Sequence, residues 1–360
     1  MNILLEEDIE ERNKMQKKQM CKKKKEIRYD IIIQVVMYII VSCIWYFVFM
    51  RNIGFKSYLT NYPIPLTMVG GGFVSGFTIC GGGAVSFPVF CKLLKLDPMM
   101  ARDFALGIQS FGMTCASITI VIKKIPYEKR VAVFCTAGSF LGLLLGNLFI
   151  VPNISSENMK LIFSILVAAF GVSLILKNFA TKVNKIVYDY LPEITVKSDI
   201  ILFSIGIIGG LFTSVLGTGA DIIAFSIVTI LFKVSEKVLN PTSDIIMALS
   251  SIMGLAMRLL FFGGIHPDAA AGFPLAIPVV VVMAPVGAVV ASKINRLLVV
   301  KFLLLFILVD IISTFYSLHM NIKTMIIAII MFGMWLGFYF ILMKVANKFE
   351  KRREKLNGEG

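Results

Sequence analysis

Histidine is almost missing from this chain: there are two in 360 residues, standing alone at positions 266 and 319. Neither has a second ligand nearby in sequence, so both read as interfacial side chains and no metal site is expected. The six cysteines all precede position 136, without a CxxC or paired spacing. That excludes a disulfide framework, and Cys43, Cys80, Cys115 and Cys135 read as small apolar fillers. No nucleophile–base pair and no phosphate-binding Gly-Lys-Ser/Thr loop is present. An enzyme, a bound cofactor and nucleotide-driven work are therefore not expected. Charge is scarce where it would matter to a soluble fold, with none between Ser57 and Cys91. A cleavable leader is not expected either, because the first apolar run starts too late and runs too long; it reads as a signal anchor.

What is present is grease. Hydrophobic residues make up 57% of the chain and mean hydropathy is +0.84, beyond what a soluble domain carries. About 20 apolar residues cross a hydrocarbon core, and ten segments approach or exceed that. They are 31–50, 64–90, 104–122, 131–151, 161–176, 200–231, 245–262, 273–291, 302–318 and 325–343. The formal net charge of +14 sits largely at the two ends, in "KKKK" at Lys22–Lys25 and in "KRREK" from Lys351. Basic tails flanking membrane helices point to cytoplasmic ends facing anionic headgroups, and nucleic acid is not expected as a partner.

Two segments are too long for one helix and are broken by glycine. "GGFVSGFTICGGGAVSFPVF" from Gly71 resembles "GGLFTSVLGTGADIIAFSIV" from Gly209. In each, Gly-Gly and a hydroxyl residue lead to a Gly-x-Gly and an apolar run. Each block is followed by three segments of ordinary span length, which reads as an internal duplication. Charge decides its path. If all ten segments cross, the inside loops hold nine Lys/Arg and the outside loops eleven. If the two broken segments enter and leave on the same side, the inside holds thirteen and the outside seven, which satisfies the positive-inside tendency. The second arrangement is expected.

The expected fold is thus an all-α polytopic membrane protein of two inverted repeats. Each repeat has a glycine-broken, re-entrant hairpin plus three spans, giving eight full spans. The layout is a basic tail (1–30), a first span and external loop (31–63), repeat 1 (64–199), repeat 2 (200–324), and a last span with a basic tail (325–360). Both termini are expected in the cytoplasm and the protein in the cell membrane. A homo-oligomer is compatible with this layout.

The glycine block, "LDPMMARDFALG", "NPTSDIIMALSSIMG" and "AIPVVVVMAPVGAVVASKI" occur in an order that resembles the sulfite exporter TauE/SafE family. The resemblance spans about 64–312. The second block departs from it, reading Gly-Thr-Gly-Ala-Asp where a fuller glycine run is common. The resemblance implies export of small sulfur-containing anions such as sulfite or organosulfonates, coupled to an ion gradient. An uncoupled anion permease or channel is the alternative.

Broken helices at membrane depth leave free N–H groups and a positive dipole end, which favour an anion. Gly81, Gly82 and Gly83, with Gly217 and Gly219, are accordingly expected as backbone donors; the competing reading is tight helix packing, which fits Gly72 to Gly76. Thr218 is the best placed hydroxyl; Ser75, Thr78, Thr213 and Ser214 either donate likewise or bond back to their own helices. Arg258 reads as a counter-charge for the substrate or as an interfacial arginine. Gln109, with Ser110, either lines the cavity or makes packing contacts. Asp221 caps a half-helix or carries a coupling proton. Asp310 pairs structurally, and Asp244 and Arg102 read as solvated caps at span ends.

Overall fold

The computed structural model describes residues 31–50, 60–78, 97–175, 188–192, 195–317 and 322–358. It is all-α among these residues, with one isolated bridge between Tyr188 and Val234. The first helix, α1 (Ile31–Val48), belongs to a unit of its own ending at Arg51. It carries no charged residue, as suits a membrane span. The remainder carries α2 (Pro63–Phe77), α3 (Pro98–Ile122), α4 (Lys129–Leu145), α5 (Ser156–Ile175), α6 (Val196–Leu216), α7 (Ala220–Leu231), α8 (Glu236–Phe261), α9 (Pro267–Lys293), α10 (Arg296–Ser317) and α11 (Ile322–Gly358). Seven helices among the described residues are long and apolar enough to cross a bilayer. The protein is a multi-pass membrane protein.

Local chemistry fixes the helix starts. Asp97 accepts the Met99 amide and Pro98 takes the first position of α3, where its missing N–H costs nothing. Thr195 and Ser198 form a reciprocal capping box on α6, Ser235 caps α8, and the His266 ring caps α9 through the Asp268 amide. His266 is thus a cap at a helix end; His319 lies outside the described residues.

Packing sets the helix directions. Against α8, α3 runs antiparallel: Ser117 meets the Asp244 carbonyl, Gln109 meets Ser251, and Asp103 meets Arg258. α4 and α6 run parallel with backbones in contact. A Cβ on Gly138 would strike the Phe203 carbonyl, and one on Gly142 the Ile207 carbonyl. α2 and α9 make the matching parallel pair, where Gly76 faces the Ala284 carbonyl and Gly287 that of Phe73. Without a hydrophobic drive between helices in lipid, such close approach is what holds them.

The second glycine block is a helical hairpin. Gly217 adopts φ +77° and Gly219 φ +144°, conformations that only glycine takes at low cost. The chain doubles back so that Ala220 donates its amide to Thr213 Oγ1 at 2.9 Å and packs on Gly209. After α7 it returns beside the loop that feeds α6: Tyr188 donates to the Lys233 carbonyl at 3.0 Å and Ser235 to the Tyr188 carbonyl at 2.8 Å. Glu128 joins the same end, its amide on Thr242 and its carboxylate accepting the Leu191 amide. Of the first glycine block, α2 is described as far as Thr78; Gly81, Gly82 and Gly83 lie outside the described residues.

Candidate functional site

The Asp97–Pro98 cap starts α3 six residues earlier than the apolar run does, and this carries Arg102 and Asp103 inside the helix. Both are 1% exposed. Arg102 Nε and Nη2 each reach Asp103 Oδ1 at 2.9 Å. From α8, Arg258 Nη2 approaches Asp103 Oδ2 at 3.4 Å, while its Nη1 donates to the Phe262 carbonyl at 3.0 Å. The His266 amide, at the foot of α9, donates to the same Oδ2 at 2.9 Å. Two guanidinium groups therefore share one carboxylate where three helix ends meet. Asp97, at the cap, also acts on Arg102. Arg102 Nη1 and Arg258 Nε are buried without a hydrogen-bond acceptor. A buried donor of this kind is costly to leave unmade.

The tip of the second hairpin rests on this cluster. A Cβ on Gly217 would lie 2.5 Å from the Arg102 carbonyl oxygen and 3.1 Å from Ala105 Cβ. Only a bare backbone fits there. The hairpin amides are used internally: Gly217 donates to the Thr213 carbonyl at 2.8 Å, Ala220 to Thr213 Oγ1, and Gly219 to Asp221 Oδ1 at 2.9 Å. Thr218 Oγ1 donates to the Asp221 carboxylate at 3.2 Å. Asp221 sits in the first turn of α7 and is 1% exposed, so its charge faces the positive end of its own half-helix. In this conformation Gly217, Thr218 and Gly219 serve the hairpin; Gly219 itself holds the cap position of α7, and Asp221, two residues farther on, accepts the Gly219 amide.

Gln109 stands elsewhere, at the crossing of α3 and α8, where its Oε1 accepts from Ser251 Oγ at 3.0 Å. It lines a cavity of about 10 Å³ with Gly71, Gly72, Ser75 and Met113, space for about one water. Ser139 and Ser250 bridge α4 and α8 next to it at 2.9 Å. Ser75 donates to Met113 Sδ, whereas Thr78, Ser110, Thr213 and Ser214 bond back to their own helices.

Residues 99–314 match the sulfite exporter TauE/SafE family, a span running from α3 into α10. The chain belongs to the sulfite exporter TauE/SafE family. The match begins beyond the first glycine block and includes Arg102, Asp103, the second hairpin, Arg258 and Gln109. No curated protein and no solved structure matches. As a TauE/SafE protein the chain is a membrane transporter of the sulfite-exporter type.

For this TauE/SafE chain the structure joins Arg258 and Gly217 at one end and leaves Gln109 apart, at mid-helix. It also brings in Asp103, which the sequence reading passed over, and it corrects two residues which that reading named. Arg102 and Asp244 are not solvated caps; they are 1% and 0% exposed. For Arg102 the signal was in the chain, since an Asp-Pro cap five residues upstream places the arginine more than a turn inside a helix.

Proposed function

We propose that this protein exports a small oxyanion of sulfur, sulfite or an organosulfonate, across the cell membrane as a secondary transporter driven by an ion gradient. The observation that carries this reading is the pair of arginines on Asp103. A planar guanidinium with unused N–H groups suits a tetrahedral or pyramidal oxyanion. Two such groups on a single carboxylate leave positive charge within reach of a substrate. The site lies where the tip of the broken helix meets α3, so a shift of the hairpin would open or close it.

The helix directions support alternating access between two halves of opposite orientation. α2 and α6, α3 and α8, and α4 and α9 occupy corresponding places in the two repeats, and each pair runs in opposite senses. The exchange is reciprocal: α2 of the first half packs on α9 of the second, and α6 of the second on α4 of the first. Such inverted repeats with broken helices carry secondary transport elsewhere. The segments 123–128, 188–192 and 232–235 meet at one end, with the start of α8 beside them, and this reading places that end in the cytoplasm with both termini.

The test is accumulation of radiolabelled sulfite by the purified protein in proteoliposomes under an imposed gradient. Uphill accumulation is expected, abolished in Arg102→Gln and partly kept in Arg102→Lys. Passage that equilibrates but never concentrates sulfite would make the protein an uncoupled permease. No sulfite or organosulfonate movement at all would sink the assignment.

A further inference from the structure

Asp244 has no role in the site above, yet it is among the most enclosed charged residues described, at 0% exposure. It sits in the third turn of α8, about 12 Å along the helix from its first residue. Both carboxylate oxygens are buried without a donor. One turn earlier on the same face, Asn240 is 7% exposed and its Oδ1 also lacks a donor. Between them Pro241 has no N–H to give, which frees the Lys237 carbonyl oxygen of its usual helical partner. Positions 237, 240, 241 and 244 share one helix face. Three buried oxygens on that face, two of Asp244 and one of Asn240, thus have nothing donating to them, and Glu236, 5% exposed, lies at its mouth.

The surroundings supply no counter-charge. From α7 the acid acting on Asp244 is Asp221, a like charge. From α3 the neighbour at its level is Ser117, which donates to the Asp244 backbone carbonyl and not to the carboxylate. At the α4 end, Glu128 binds Thr242 instead, and Lys129 opens onto an outer groove with Ile245. Asp103 makes the contrast. It lies six residues before Gln109 on α3, as Asp244 lies seven before Ser251 on α8, on either side of the same crossing. Asp103 is met by two arginines, Asp244 by none. An uncompensated buried carboxylate costs several kcal/mol, and intramembrane acids kept at that cost mark ion or proton pathways.

We infer that the Asn240–Asp244 face of α8 holds the monovalent cation, a proton or a sodium ion, whose gradient drives the anion. This deepens the transport reading and rests on it. The cation enters from the end where α8 begins, and its charge removes the repulsion between Asp244 and Asp221, allowing the hairpin to repack. The anion cluster sits about 21 Å farther along α8, so the two solutes occupy opposite ends of one helix.

Two measurements test it. In proteoliposomes, Asp244→Asn is expected to exchange labelled sulfite across the bilayer but to lose gradient-driven accumulation by about tenfold or more. Asp244→Glu should restore part of it, and Asp268→Asn, an exposed acid at the far end, should behave as the parent. Imposing a pH gradient in one arm and a sodium gradient in the other identifies the cation. Accumulation by Asp244→Asn at the parental level overturns the inference. The second measurement is independent of sulfite: the melting temperature of purified protein is followed against sodium chloride, against choline chloride, and from mildly acidic to mildly alkaline buffer. The parent should respond to sodium or to pH, and Asp244→Asn should lose that response. Identical responses overturn the cation site, whereas a lost response in a protein that moves no sulfite leaves the site standing and overturns the substrate.

Discussion

Gly217 and Arg102 show how much one side chain decides here. A methyl group on Gly217 would require a left-handed alanine, about 1–2 kcal/mol of backbone cost, and would press on the Arg102 carbonyl at 2.5 Å. Gly217→Ala is therefore expected to lower the melting temperature and to impair sulfite transport together, because the same contact seats the hairpin on the arginine cluster. Asp103→Asn should be worse for folding. It leaves two guanidinium groups facing each other, and breaking a buried ion pair from one side costs about 3–5 kcal/mol. A fluorescence melting curve in detergent would detect either. A Gly217→Ala protein as stable as the parent would mean the hairpin tip is free to move away from α3.

At the scale of the element, parallel helix pairs are held by backbone approach. Gly142→Leu drives a side chain into the Ile207 carbonyl and should cost about 1–3 kcal/mol or more. Gly333 in α11 meets nothing within 4 Å, so Gly333→Ala should be neutral or stabilise by up to about 1 kcal/mol. The comparison, measured by thermal melting of both variants, separates glycines placed for packing from those that merely occur in a span. The sequence made that separation only for Gly72 and Gly76, whose four-residue spacing fits helix packing; Gly138 and Gly333 look alike in a hydrophobic run. It could locate the second break, because Gly-Thr-Gly interrupts an apolar stretch too long for one helix, and α6 and α7 fall on its two sides.

For the whole molecule, the direction of each helix is the quantity at stake. In a cysteine-free background, single cysteines at Tyr190 and at Lys124 should be labelled from the cytoplasmic side, and one at Asp268 from the opposite side. All three positions are exposed. Tyr190 and Asp268 labelled from the same side would contradict the inverted arrangement and the access route assigned to the cation.

Composition alone determined that this chain lives in a membrane, since no aqueous fold buries so large an apolar fraction. Glycine spacing located the second helix break, between α6 and α7, because a left-handed turn is a local property of the backbone. Burial was decided only by tertiary structure. Arg102 and Asp244 stand among polar neighbours in "MARDF" and "PTSDI", where solvation is the reasonable default. They become enclosed because α3 and α8 cross antiparallel with α4, α7 and α9 packed around them. Which charge finds a partner is then settled by residues distant in the chain: Arg258, 155 positions away, reaches Asp103, and no comparable cation reaches Asp244 among the described residues. Pairing across such distances depends on how helices cross, and that is not written in any stretch of sequence.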